Sequence, residues 1–262
     1  VAWPLVGLHT VLMGSLSLAL SLFDRRGRMQ HWCARTWSRI IARTALLDVR
    51  AHGAEHLRAG ESYVFLSTHQ SWMDIPVMLG YLPSQLRIAA KREVFLIPFL
   101  GWHLSRGGHI PINRGSTAEA GASLQGAAGD LREGVSAFLF PEGTRTHDGS
   151  LQPLKKGGFK LAAAARLPVV PVTILGTRRA MPRDSAVLRA GPVEVRSNAY
   201  GSDPTTLNLV VASGYDFARH DTDGDGTVSS SEVAVIVINK DGVRGAQTRP
   251  VAPLRPSGDR SE

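Results

Sequence analysis

The sequence predicts an α/β domain carried behind an amino-terminal helical membrane segment. Three observations lead there. Residues 1–23 carry no formal charge, a basic helical pattern follows them, and from residue 48 to 196 apolar runs of strand length alternate with helical patterns. The 262 residues are 43% hydrophobic and 20% charged, a balance that excludes global disorder and a polytopic membrane protein. The lone cysteine, Cys33, excludes an internal disulfide framework and a cysteine-built zinc site, and suits a reducing, cytosol-facing setting. Net charge is +8, with 24 Lys+Arg against 13 Asp+Glu in residues 1–200 and 6 against 9 in residues 201–262. A basic body implies an anionic partner, and the acidic remainder hints at a separate module.

The first segment, VAWPLVGLHTVLMGSLSLALSLF, is long enough at about 1.5 Å per residue to cross a hydrocarbon core of roughly 30 Å. Pro4, His9, Thr10 and three serines weaken it, so insertion to partial depth fits as well. The positive charges Arg25, Arg26 and Arg28 follow the apolar run, whereas a cleaved signal peptide carries them before it. By the positive-inside rule they keep the following chain on the cytoplasmic face of the cell membrane. The chain opens on Val1, which leaves room for further residues before it. Over residues 29–47, Arg35, Arg39 and Arg43 share one helical face and Trp32, Trp37, Ile40, Ile41 and Leu47 lie mainly opposite. That spacing suits an interfacial amphipathic helix, and equally a first core helix with a solvated face.

In the body, strands are expected at Tyr63–Ser67, Leu86–Ala89, His109–Ile112, Ala137–Phe140, Val169–Ile174 and Val193–Arg196. Helices are expected at Ile75–Tyr81, Thr117–Arg132 and Gly157–Ala165. No G-x-G-x-x-G, P-loop or G-x-S-x-G is present, so common nucleotide folds and the serine-hydrolase elbow lack support. The first strand runs into Ser67-Thr68-His69-Gln70-Ser71-Trp72-Met73-Asp74, with Pro76 in the first turn of the next helix. A carboxylate beside an imidazole fixes its tautomer and stabilises the imidazolium formed when it takes a proton. His69 could then deprotonate a substrate hydroxyl directly, although a histidine and an N-capping aspartate at this spacing are often structural.

A second stretch, Phe138-Leu139-Phe140-Pro141-Glu142-Gly143-Thr144-Arg145, is an apolar strand ending in a compact polar turn. Arg145 offers a bidentate fork to a phosphate, Gly143 permits close backbone approach, Thr144 adds a hydroxyl and Glu142 would orient the arginine. Gly107–Arg114 combines glycines, a strand and a closing arginine, and Val170-Pro171-Val172 by itself reads as core.

Taken in this order the four blocks resemble the lysophospholipid acyltransferase family, which includes bacterial 1-acyl-glycerol-3-phosphate acyltransferases. His69 and Asp74 match its H-x4-D block, Phe140 to Arg145 its F-P-E-G-T-R block, Gly108 to Arg114 its glycine–strand–arginine block, and Val170 to Val172 its V-P-V block. Lys91-Arg92-Glu93, Gly101-Trp102 and Lys155 to Lys160 are similar to the family too, so the resemblance covers roughly residues 30–196.

The resemblance implies a glycerolipid-acyltransferase-like sheet flanked by helices, within an acyltransferase domain at 48–200 behind membrane-associating helices at 1–47. It implies an enzyme that moves a fatty acyl group from acyl-CoA or acyl-carrier protein to the sn-2 hydroxyl of 1-acyl-glycerol 3-phosphate, giving phosphatidic acid, and needs no cofactor for the transfer. His69 would be the base, Asp74 its partner, and Arg114, Glu142, Gly143, Thr144 and Arg145 the acceptor-phosphate site. The V-P-V block would accommodate the acyl chain or donor. Lyso-ornithine lipid or lysophosphatidylcholine are alternative acceptors, and an inactive calcium-responsive membrane-binding protein is the alternative of another class. No aromatic–basic interleaving supports nucleic-acid binding.

After Arg196 the chain leaves the family pattern. Asp221-Thr222-Asp223-Gly224-Asp225-Gly226-Thr227-Val228-Ser229-Ser230-Ser231-Glu232 matches an EF-hand loop, D-x-[DN]-x-[DN]-G-x5-E. Asp221, Asp223, Asp225, the Thr227 carbonyl and Glu232 would ligate Ca²⁺ within a tail at 201–242. No second loop pairs with it, and the β-branched Val233–Ile238 makes a poor exiting helix. Residues 243–262, with prolines and scattered charge, are expected to be disordered.

Overall fold

The computed structural model describes residues 2–24, 26–149, 152, 154–197, 206–211, 234–239 and 242–247. Two helices come first, α1 (Ala2–Leu20) and α2 (Arg28–Thr44). The body then runs β1 (Leu47–His52), β2 (Val64–Ser67), α3 (Asp74–Tyr81), β3 (Leu86–Lys91), α4 (Leu100–Arg106), β4 (Ile110–Ile112), α5 (Thr117–Ala127), β5 (Ser136–Leu139), α6 (Gly157–Ala165), β6 (Val169–Leu175), a short α7 (Thr177–Ala180) and β7 (Gly191–Ser197). The seven strands form one sheet in the order β1-β7-β6-β2-β5-β3-β4. Every neighbouring pair is parallel except β6 and β7.

The sheet is mixed α/β and flanked by helices, as the alternation of apolar runs requires. β2 lies at its centre, and all four of its residues are buried. Side chains alternate across a strand, so a doubly covered strand must be apolar on both faces. Tyr63 and Phe65 join Ile41 of α2 and Met78 of α3 in one core, while Val64 and Leu66 join Leu124 of α5 and Leu161 of α6 in the other. Pro171 is tolerated within β6 because the β7 ladder begins only at Val172, so one side of Pro171 has no strand needing its N–H. The parallel strands β2, β3, β4 and β5 all end on the same edge of the sheet, the edge where open α/β folds bind ligands.

Four local expectations change. The helix expected over 117–132 stops at Ala127 and gives way to a 3-10 turn at Asp130–Glu133, since Gly126 and Gly129 lower helix propensity there. β1 and α4 carry too short a pattern to be read from sequence, and exist because they pair with β7 and pack under α1. In α2, Arg35 and Arg39 do not form an open basic face. Arg35 donates to the carbonyls of Leu82 and Ser84, and Arg39 to that of Gly80, so both satisfy backbone acceptors at the end of α3. Beyond the body, Thr206–Val211, Ala234–Asn239 and Gly242–Gln247 form an antiparallel three-stranded sheet. The β-branched run after Glu232 thus supplies a strand, and Gly242–Gln247 is a strand inside the segment whose composition suggests disorder. The loop 221–232, with Asp221, Asp223, Asp225, Thr227 and Glu232, lies outside the described residues.

α1 turns Thr10, Gly14 and Ser17 inward. Thr10 accepts from Trp37 Nε1, and Ser17 Oγ shares a hydrogen bond with His103 Nδ1. Gly14 lies so close to Phe99 that a Cβ there would approach the phenylalanine Cβ to 2.8 Å, so only glycine lets α1 seat on α4. The outward side exposes Trp3, Leu5, Leu8, Val11, Leu12 and Leu16. Trp3–Leu20, with a mean hydropathy of 1.4, is long and apolar enough to cross a membrane.

Where α2, α4 and β4 meet, three histidines are held neutral. Burial lowers His31 and His103 to about 4 and pushes His109 well below its ordinary 6.5. Ile88 N–H donates to His109 Nδ1, which fixes the tautomer with its proton on Nε2. Because these pKa values lie below the unfolded value, the unfolded chain binds more protons as pH falls, and stability is lost on acidification. The urea midpoint should therefore stay level above about pH 6.5 and fall steadily from there to about pH 4, as denaturation followed by circular dichroism would record.

Candidate active site

His69 stands two residues beyond the carboxyl end of β2, in a loop closed by α3. Its Nδ1 lies 2.9 Å from Asp74 Oδ2, and Asp74 has no solvent exposure. The same oxygen accepts the backbone N–H groups of Gln70 (2.7 Å) and Ser71 (2.8 Å). Asp74 is thus the first residue of α3, not its cap, and its carboxylate turns back to organise the loop that carries the histidine. A carboxylate receiving two backbone donors is the acceptor in the third bond as well, which places the imidazole proton on Nδ1 and leaves Nε2 for chemistry. Phe140 stacks on the imidazole at 3.6 Å between ring centroids and 9° between planes, which fixes the ring plane.

Desolvation pulls the His69 pKa below 6.5, with Arg145 and Arg114 adding repulsion, while the hydrogen bond and charge of Asp74 oppose the drop. The net direction is downward, so the ring is neutral and able to accept a proton at physiological pH.

The loop after β5 is bolted to the histidine. Glu142 is 2% exposed. Its Oε1 accepts the His69 N–H at 2.8 Å and its Oε2 the Gln152 N–H at 3.0 Å, while Thr146 N–H donates to the His69 carbonyl at 2.9 Å. Gly143 adopts φ +71°, and a Cβ there would meet the Lys155 side chain at 3.0 Å, so the turn requires glycine. Glu142 and Gly143 shape this loop and do not line the cavity described next, whereas Thr144 and Arg145 do.

That cavity, about 330 Å³, has His69 in its wall. Its polar side holds Lys91, Arg114, Thr144, Arg145 and Arg183. Most of the remainder is apolar and is closed by α1, α2, α4 and the residue before α4 through Met13, Ala34, Trp37, Leu104 and Phe99, with Thr10, His103 and His109 also in the wall. Arg114 follows β4 and Arg145 follows β5, the parallel strands on either side of β3, so both guanidinium groups leave the same edge of the sheet and line one space. Burial lowers the pKa of each, with Glu93 counteracting it at Arg114 and Arg183 adding to it at Arg145. Arg145 also lies over the Trp72 ring, its Cζ 5.3 Å from the centroid. Val170, Pro171 and Val172 sit in β6 and do not line this space, and Val170 and Val172 belong to the core shared with α2 and α3.

The structure therefore brings His69, Asp74, Arg114, Thr144 and Arg145 to one place, with Glu142 and Gly143 beneath. Two residues escaped sequence reading. Trp72 lies inside the H-x4-D block, where its aromatic face gave the only hint. Arg183 follows α7 far along the chain, with no spacing signal to connect it. Among the described residues no group of three or more His, Cys, Asp and Glu is placed to hold a metal ion.

Comparison with known proteins fits this geometry. A family profile described as Acyltransferase matches residues 48–175. The chain is 37% identical over 192 residues to a chloroplastic 1-acyl-sn-glycerol-3-phosphate acyltransferase of Brassica napus, covering 71% of this chain and 55% of that protein. It is 30% identical to a 1-acyl-sn-glycerol-3-phosphate acyltransferase of Saccharomyces cerevisiae, covering 69% and 60%. The chain spans about half the length of the curated relatives it matches. Among solved structures, it is similar to the 1-acyl-sn-glycerophosphate acyltransferase PlsC of Thermotoga maritima, with a TM-score of 0.63, 26% identity, and coverage of 76% of this chain and 85% of that one.

Asp74→Asn keeps the shape but removes the charge that favours imidazolium and weakens the preference for the Nδ1–H tautomer. The activity of that variant should fall by about 10²-fold or more. Any residual activity should show its acid limb displaced to lower pH, because the two contributions that raise the His69 pKa are lost. A pH–rate profile of kcat/KM for both proteins checks both outcomes.

Proposed function

Residues 48–175 belong to the acyltransferase family, and on that premise we propose that the protein moves a fatty acyl group from acyl-CoA or acyl-carrier protein to the sn-2 hydroxyl of 1-acyl-glycerol 3-phosphate, giving phosphatidic acid. The observation that carries this reading is the buried His69–Asp74 pair set in the wall of a cavity that is cationic on one side and apolar on the other. A lysophospholipid with a phosphate head has the same division of polarity. The relatives from Brassica napus and Saccharomyces cerevisiae are named for the same acceptor.

Nε2 of His69 removes the hydroxyl proton as the oxygen attacks the thioester carbonyl carbon. The tetrahedral oxyanion then collapses, the carbon–sulfur bond breaks, and the leaving thiolate takes the proton back from the imidazolium. Products are 1,2-diacylglycerol 3-phosphate and the free thiol, with no acyl-enzyme formed. Asp74 stabilises the imidazolium between these steps, and Arg114 and Arg145 hold the acceptor phosphate so that its hydroxyl meets the base. Glu142 and Gly143 support the phosphate site by holding its loop.

The exposed leucines of α1 and the arginines that follow it support placement at the cytoplasmic face of the cell membrane, where acceptor and product reside. The loop at 221–232 is proposed to bind Ca²⁺ apart from the transfer step, so a chelator should release the ion without abolishing transfer.

Thioester consumption by membranes supplied with lysolipid acceptors tests the reading. His69→Ala should lower transfer by about 10²–10⁴-fold, and near-wild-type activity would overturn the base assignment. Arg145→Lys, which keeps the charge but loses the planar fork, should raise the KM for the acceptor and leave that for the donor unchanged.

A further inference from the structure

We propose that Arg183 is a third ligand of the acceptor phosphate and makes the site selective for phosphate monoesters over phosphodiesters; this rests on the acyl-transfer reading above. Arg183 comes from the segment after α7, outside the four sequence blocks, yet it lines the same cavity as Arg114, Arg145 and His69.

Its placement is built by crossed hydrogen bonds. Arg145 Nη1 donates to the Arg183 carbonyl at 3.0 Å, and Arg183 Nη1 donates to the Arg145 carbonyl and, at 3.3 Å, to Thr144 Oγ1. The two loops hold like charges together before any ligand arrives. Among the described residues the one carboxylate paired with Arg183 is Asp184, with Oδ1 3.9 Å from Nε and a side chain 76% exposed, so it screens little. Among the described residues Nη2 of Arg183 has no hydrogen-bond partner, nor have Nε and Nη2 of Arg145. Two half-buried guanidinium groups with free donors in a shared cavity are a site for a multiply charged anion.

Counting oxygens gives the selectivity. A phosphate monoester offers three terminal oxygens and a charge of about −1.5 to −2 at neutral pH, whereas a diester offers two and a single charge. One bidentate fork occupies two oxygens, so the further arginines, Arg183 among them, find full use only when a third oxygen and a second charge are present. Arg183 is therefore worth more to a glycerol 3-phosphate head than to a phosphocholine head.

The test compares wild-type membranes with Arg183→Gln, Arg183→Lys and, as a charge control on an exposed position, Arg189→Gln. Acceptors are 1-acyl-glycerol 3-phosphate and its phosphocholine counterpart, with glycerol 3-phosphate and glycerophosphocholine as soluble competitors. Arg183→Gln should raise the monoester KM and the glycerol 3-phosphate inhibition constant together by about 10-fold or more. Donor KM and glycerophosphocholine inhibition should stay within about two-fold, with Arg183→Lys intermediate and Arg189→Gln like wild type. If Arg183→Gln lowers kcat equally on both acceptors, or leaves the monoester KM unchanged, Arg183 only braces the loop and the proposal fails while the acyl-transfer reading stands. A wild-type enzyme that acylates the phosphocholine acceptor alone overturns both.

Discussion

Asp74 is a carboxylate with no exposure to water, and a charge in that position persists only if the protein supplies its hydrogen bonds. Three donors converge on Oδ2: the His69 imidazole and the backbone amides of Gln70 and Ser71. Those bonds dictate the path of the loop between β2 and α3 and the direction of the imidazole. Glu142, a second buried carboxylate, does the same from the opposite loop by accepting the His69 and Gln152 amides. His69 is thereby held between two buried carboxylates, one gripping its ring and the other its backbone. Little freedom is left to be lost when substrate arrives.

That arrangement depends on the sheet beneath it. β2, β5, β3 and β4 run parallel, so the residues that follow each one emerge on one edge. His69, the Pro141–Arg145 turn and Arg114 are therefore neighbours in space although they are tens of residues apart in the chain. The edge itself is roofed by the amino-terminal helices. α1 buries Ser17 and Gly14 against α4 and keeps its leucines outside, and together with α2 and α4 it encloses an apolar space next to the cationic one. α1 thus exposes a mainly apolar outer side while remaining part of the cavity wall.

The guanidinium groups of Arg145 and Arg183 are brought close by hydrogen bonds to each other's backbone carbonyls, and Arg114 lines the same cavity. Burial lowers the pKa of Arg114 and Arg145, which states that the free site is electrostatically uncomfortable. Such a site gains most from an anion that approaches all of them at once. The buried histidine cluster beside the cavity stays neutral because desolvation dominates there, with His103, His31 and Arg87 adding repulsion at His109.

The amino-acid sequence by itself determined the α/β class, most body strands and the pairing of His69 with Asp74, because each depends on a short-range pattern: alternation along a strand, or a carboxylate five residues after a histidine at a helix start. It also marked Arg114, Thr144 and Arg145, since they sit directly after strands. Tertiary structure alone decided the rest. Arg35 and Arg39 read as a free basic face, yet they bond carbonyls at the end of α3, an acceptor set that no helical spacing reveals. Glu142 reads as a partner of its neighbouring arginine, yet it accepts amides from His69 and Gln152. β1 and α4 hold their form through partners distant in sequence, and Arg183 enters the cavity only because the segment after α7 folds back over the Thr144–Arg145 turn. Short-range regularities are written in residue order, whereas satisfying a buried polar group depends on which distant segments the packed sheet brings beside it.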